Sequence, residues 1–185
     1  MKIRTAVLLA LATLAPLGAA RAQVSNPLKF TIFGGAALPV GDTQDAVKTG
    51  YTVGAALDLR VPLSPLGFRG EVVYSGLEAK GLSGTGIEAD ITDLGANLNA
   101  VLWLPTATPL RPYVTGGPSY SRLKVSASGF GESESESQNE WGFNIGGGLQ
   151  FGLGDLGTRL DIRYRRISSE GEAFSIIPIT FGVTF

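Results

Sequence analysis

Several ionisable residues stand two positions apart within short apolar stretches: Asp58 with Arg60, Arg69 with Glu71, and Asp161 with Arg163 and Arg165, joined by Asp93. A spacing of two puts side chains on one face of a strand. Opposite signs then fall on neighbouring strands, where they are expected to pair. An unpaired charge in a poorly solvated interior is costly, whereas a hydrogen-bonded pair is tolerated. Two kinds of work suit such a set. One is a polar plug that holds strands in register; the other is a gate whose pairs exchange partners to pass small solutes or ions. A bore just wide enough for side chains to fill favours the plug.

Other chemistry is poorly served. The chain has no histidine and no cysteine. A serine nucleophile would need lysine or a carboxylate as its base, and no spaced constellation suggests that arrangement. The same lack argues against zinc and other transition metals, and no cofactor is expected. Glu132, Glu134 and Glu136 alternate with serine. On a hairpin they would line one edge and offer carboxylates to a divalent cation or a basic partner. A solvated loop accounts for the same composition more simply. The run from Lys80 to Gly86 is glycine-rich but lacks the Lys-Ser/Thr ending and following helix of a phosphate loop, and reads as an external loop.

The elements that must carry these residues are strands. The final segment, about 174–185, places Phe185, Val183, Phe181, Ile179 and Ile177 on one face and Thr184, Gly182, Thr180 and Pro178 on the other. One face suits lipid and the other a polar barrel interior. The ending Phe181, Val183, Phe185 is the closing signature of an outer-membrane barrel. Counting back gives eight strand-like segments, with turns at 62–67, 105–109 and 154–157 alternating with more polar connections at 41–45, 80–86, 128–138 and 168–172. The second strand, about 49–61, points Tyr51, Val53, Ala55, Leu57 and Leu59 outward. The third, about 68–75, points Phe68, Val72 and Tyr74 outward, and the fourth, about 90–104, does so with Leu94, Leu98 and Leu102. The first covers about 28–40; the sixth carries Trp141, Phe143, Ile145, Leu149 and Phe151 in phase, and the seventh Leu160, Ile162 and Tyr164. In the fifth, from Arg111, the run Gly116-Gly117-Pro118 blurs the phase and predicts a bulge or bend. Tyr51, Phe68, Tyr74, Trp141, Phe151, Tyr164, Phe174 and Phe185 are candidates for two interfacial girdles.

Residues 1–22 read as a secretory signal: Lys2 and Arg4 precede the apolar run Ala6 to Ala15, and Ala20-Arg21-Ala22 suits cleavage before Gln23. Residues 23–185 then form one barrel domain. With 17% charged residues and 26 glycines, the chain is too sparsely charged for an ordinary soluble surface and rich in the residue that lets strands coil. Removing Lys2, Arg4 and Arg21 with the leader leaves acidic residues in excess, which excludes nucleic acid as a partner. The expected architecture is all-β: an eight-stranded antiparallel transmembrane up-and-down barrel, monomeric, in the cell outer membrane.

Four stretches carry a family resemblance: Thr31-Ile-Phe-Gly-Gly-Ala-Ala-Leu-Pro-Val-Gly-Asp42, Arg111-Pro-Tyr-Val-Thr-Gly-Gly117, Gly142-Phe-Asn-Ile-Gly-Gly-Gly-Leu149 and Leu160-Asp-Ile-Arg-Tyr-Arg165. They resemble the bacterial outer-membrane β-barrel domains of OmpX-like, OmpA-barrel-like and opacity-type porin-family proteins. The resemblance implies a structural, adhesive or host-interacting surface role, with outer-membrane lipid around the wall, an external ligand or host surface at the long loops, and the barrel-assembly machinery engaging the C-terminal strand. It also implies one alternative, a narrow low-conductance pore; apart from the resemblance, a soluble exported barrel or sandwich that binds an apolar ligand is the alternative outside the membrane. Enzymes on similar small barrels rely on histidine, so no enzymatic activity is expected.

Overall fold

The computed structural model describes residues 27–80, 88–129, 132–153, 156–168 and 173–185. The signal peptide expected over 1–22, most of the glycine-rich loop at 80–86, the tip of the turn at 154–157 and residues 169–172 lie outside them. Eight strands run in chain order: β1 (Leu28–Pro39), β2 (Gly50–Arg60), β3 (Leu66–Glu78), β4 (Glu88–Trp103), β5 (Leu110–Gly129), β6 (Glu132–Leu153), β7 (Leu156–Ser168) and β8 (Ala173–Thr184). Each pairs antiparallel with its chain neighbours, and β8 pairs with β1, so the sheet closes into a barrel. Phe30 and Phe185 exchange backbone hydrogen bonds of 3.2 and 2.8 Å at the seam. The Thr31 and Thr184 hydroxyls meet beside it at 2.8 Å. The expected closing strand therefore seals the wall.

Period-two alternation decides what faces where. Leu57, Val72, Leu98 and Ile145 are exposed on the outside, Leu98 by 63%, while Thr52, Arg69, Asn99 and Asp161 are buried within, Arg69 completely. Such an apolar outer band would be an association hazard in water and is the surface a lipid core requires. Tyr51 packs on Tyr74 with ring centroids 6.2 Å apart, Tyr120 on Trp141 at 5.1 Å, and Phe143 on Tyr164 at 6.2 Å, forming aromatic clusters toward the loop side. Phe30, Phe68, Phe181 and Phe185 are exposed toward the turns. Phe174 is not in a girdle. Parity counted back from Phe185 turns it inward, where it packs against the buried group of Ala37, Val47, Leu77 and Ile176.

The fifth strand contains no bulge. Its pairing with β4 keeps one register on both sides of the glycine run, Asn97 with Ser119 and Ala100 with Gly116. A bulge would have reversed the faces, yet Tyr113, Thr115, Ser119 and Ser121 are all buried and Val114 and Tyr120 exposed. Only the ladder to β4 lapses, opposite Leu98 and Asn99, because Pro118 has no N–H to give. On its other side Pro118 stays paired with Phe143. Pro178 repeats the pattern, keeping its place beside Ala37 while the ladder to β7 lapses.

The connection expected at 128–138 is also mostly strand: β5 and β6 remain in register from Leu110 with Phe151 to Gly129 with Glu132. At the first connection Gly41, at φ 63°, turns the chain into a single helical turn, α1 (Thr43–Ala46). Thr43 Oγ1 accepts from Ser175 N at 2.9 Å and donates to the Ala173 carbonyl at 3.4 Å, which ties the segment to β8 at the loop-side mouth.

Candidate functional site

Inward positions of β2, β3, β4 and β7 converge on one interior. Among the described residues, four arginines (Arg69, Arg159, Arg163, Arg165) and four carboxylates (Asp58, Glu71, Asp93, Asp161) are buried there. The formal charges balance. Arg69 Nε donates to Asp58 Oδ1 at 2.5 Å, and its Nη1 lies 3.6 Å from Asp161. Arg163 takes Glu71 with both ends of its fork, Nη1 to Oε2 and Nη2 to Oε1 at 2.7 Å, and also donates to Asp161 Oδ1 at 3.1 Å. Asn99 donates to the same Glu71 at 3.1 Å. A bidentate pair with further donors on the carboxylate is the geometry that offsets desolvation best.

Arg159 stands at the centre. Its Nε is 2.6 Å from Asp161 Oδ2, Nη1 3.5 Å from Asp58 and Nη2 3.6 Å from Glu71. None of these is aligned as a hydrogen bond, so Arg159 is held by charge and by its place over the Phe33 ring, 5.3 Å from the centroid. Arg69 lies likewise over Tyr113 at 4.9 Å. Nearer the loops, Arg165 pairs with Asp93 and donates to Ser121 Oγ at 2.5 Å. Asn144 repairs the lapse in the β4–β5 ladder, donating to the Gly117 carbonyl at 3.2 Å and to Asn99 Oδ1 at 2.8 Å.

The bore is stoppered above and below this layer. Val101, Trp103 and Tyr113 pack together on the turn side, and Ala37, Val47, Leu77 and Ile176 on the loop side. Between the charges and the loop-side group remains a small cavity of about 30 Å³, bordered by Glu71, Asn97, Arg163, Arg165 and Thr180 together with Phe33, Val73, Ile176 and Pro178. That is room for a water or two, and for no larger guest.

Of the residues singled out by spacing, Asp58, Arg69, Glu71, Asp93, Asp161, Arg163 and Arg165 come together as buried ion pairs. Arg60 does not join them. It sits at the turn-side mouth, its guanidinium 4.7 Å from the Trp103 ring centroid and donating to Gln150 Oε1 at 2.7 Å. Arg159 was missed because a turn drawn through 154–157 starts the seventh strand too late, although Arg159 continues the alternation of Asp161, Arg163 and Arg165. Tyr113 and Ser121 were hidden by the unread phase of β5. Asn144 had a signal, being the one polar residue between Phe143 and the Gly146–Gly148 run. Glu132, Glu134 and Glu136 occupy alternate positions of β6 opposite Gly129, Ala127 and Val125. Among the described residues, no group of three carboxylates is close enough to hold a metal ion.

The family described as "Outer membrane protein beta-barrel domain" matches residues 6–185. Among solved structures, the chain is similar to Neisserial surface protein A, at 17% identity over 86% of this chain and 96% of that one, with a TM-score of 0.62. It is similar also to a major outer membrane protein of Thermus thermophilus, at 14% identity over 85% and 98%, TM-score 0.64. Ail, the attachment invasion locus protein of Yersinia pestis, aligns at 18% identity over 85% and 98%, TM-score 0.51. At these identities the likeness is one of fold. No curated protein matches the sequence.

Proposed function

Because the chain belongs to the outer membrane protein β-barrel domain family and resides in the outer membrane, we propose that it is a plugged, non-catalytic surface barrel whose β5–β6 hairpin docks an external protein segment. The carrying observation is the reach of that hairpin. β6 pairs with β5 from Glu132 onward, but its pairing with β7 begins only at Gly142. Among the described residues, the other edge of β6 over 132–136 has no strand against it. An unpaired edge is a template for one more strand, and its main-chain groups supply affinity while side chains set the choice of partner. Here the edge carries Glu132, Glu134 and Glu136. Acidic residues repel a second copy and favour an extended segment bearing lysine or arginine.

The filled bore supports the same reading over a pore, and among the described residues it leaves little room for the apolar ligand of a soluble carrier. Closure of β1 on β8 leaves the wall without a free edge, which suits a monomer in lipid. The outward Phe181, Val183 and Phe185 of the last strand are the surface we assign to the barrel-assembly machinery. A cation at Glu132, Glu134 and Glu136 is the weaker reading, since a solvated, charged edge accounts for the same composition without a ligand.

The test uses the barrel in phosphatidylcholine nanodiscs with a fluorescent peptide alternating lysine and valine. Saturable binding with slowed amide exchange over 133–138 in the full barrel, and loss of that binding when 126–135 is replaced by Asn-Gly, is the expected result. Binding that leaves exchange over 133–138 unchanged, or that survives the trimming, would reject the docking edge.

A further inference from the structure

The turn-side mouth of the bore is a separate place with its own chemistry. Lys29, Arg60 and Arg111 line an open space of about 260 Å³ there, with Gln150 and Thr184 between them. All three cations stand on inward positions of their strands, and among the described residues no carboxylate borders the space. The nearest acid layer is already engaged: Asp58 is bonded to Arg69 at 2.5 Å and lies 3.5 Å from Arg159. Among the described residues, no carboxylate is within ion-pair distance of Lys29, Arg60 or Arg111.

Arg60 is fixed rather than free. Its stacking on Trp103 and its bond to Gln150 hold the guanidinium in place, and Trp103 Nε1 donates to the same Gln150 oxygen at 3.3 Å. Its buried Nε has no acceptor. Burial weighs on its charge first, and Arg111 is the like charge that acts on it most strongly, against an opposing pull from Asp58. Like charges gathered with only the already paired Asp58 to offset them repel one another, and an anion entering between them relieves that repulsion while meeting preset donors. From these observations we infer that the turn-side mouth is a binding site for a single phosphate-type oxyanion, held by Arg60 and Arg111 with Lys29 beside them.

Short turns face the periplasm in barrels of this architecture. The anion is therefore either the headgroup phosphate of an inner-leaflet lipid or a soluble phosphate. The exposed Leu28, Leu59, Leu110 and Leu156 around the rim would meet the acyl chains of the first. The test takes the full barrel folded in a non-ionic glucoside detergent at low ionic strength. Calorimetric titrations use inorganic phosphate and, separately, dihexanoyl phosphatidylglycerol below its micellar concentration. The expected result is one saturable site, weakened about tenfold or more by Arg111→Gln and unchanged by Lys124→Gln on the loop-side hairpin. Arg111 is exposed, so its replacement leaves the heat-dependent gel shift intact and the reading independent of folding. Stronger binding of the lipid assigns the site to the leaflet; stronger binding of phosphate assigns it to a soluble anion. No saturable binding of either probe, or wild-type binding by Arg111→Gln and by Arg60→Gln/Arg111→Gln, would overturn the site.

Discussion

The guanidinium of Arg165 rests against Gly95 on the spot where a Cβ would stand, and from there it reaches Asp93 and Ser121. Gly95 and Ser121 face each other across the β4–β5 ladder, so the arginine lies over a gap kept open by the missing side chain. Gly95→Ala should push the guanidinium off at least one of its partners and leave Asp93, fully buried, short of its counter-charge. A charged hydrogen bond lost in this way costs about 1.5–3 kcal/mol. A lower urea midpoint in lipid vesicles is the expected reading. An unchanged midpoint would mean that Arg165 finds an equivalent pose.

Arg159 touches three carboxylates, and removing it leaves the interior with one uncompensated negative charge. Arg159→Ala should therefore destabilise the folded barrel by about 3–5 kcal/mol. Pairing Arg159→Met with Asp161→Asn restores neutrality and keeps most of the volume. The double variant should unfold at higher urea than Arg159→Ala alone, with non-additivity of about 1 kcal/mol or more in a double-mutant cycle. Strict additivity would show that the two residues do not act as a unit.

Asn144 stands in for the ladder that Pro118 interrupts. Asn144→Ala strips the Gly117 carbonyl and Asn99 of their donor, at a cost of about 1–3 kcal/mol. Pro118→Ala is expected to change stability by less than about 1 kcal/mol, because the proline's position is already accommodated by Asn144. Urea titrations of both variants give the comparison. The expectation fails if Pro118→Ala is the more damaging.

The wall was legible because each lipid-facing strand repeats one rule, apolar at every second residue, and a shift by one would place Leu57 or Leu98 in the bore and Asp58 or Asn99 in lipid. The charged interior followed from the same parity, with seven of the eight spaced charges meeting in pairs. What sequence could not show was geometry that depends on the partner strand. Arg60 shares the parity of Asp58, yet it lies one step nearer the end of β2, beyond the aromatic layer of Trp103 and Tyr113 that separates the mouth from the interior. The Gly116-Gly117-Pro118 run looks like a bulge in one strand, and only the register with β4 shows that none is inserted. The Ser-Glu repeat reads as a loop by composition, because its strand form is imposed by β5 rather than by its own propensity.

Conductance separates the plug from the gate. Passing an ion through the centre requires breaking the fork between Arg163 and Glu71. Arg163→Ala does that, but Val101, Trp103 and Tyr113 still close one end and Ala37, Val47, Leu77 and Ile176 the other. Because neither stopper depends on Arg163, wild type and Arg163→Ala should both be silent in planar bilayers. The variant should nevertheless lose stability, since Glu71 then remains buried with fewer donors. A steady single-channel step in the wild-type protein would reverse this assignment: it would mean that both apolar groups open together in lipid and that the interior charges work as a gate.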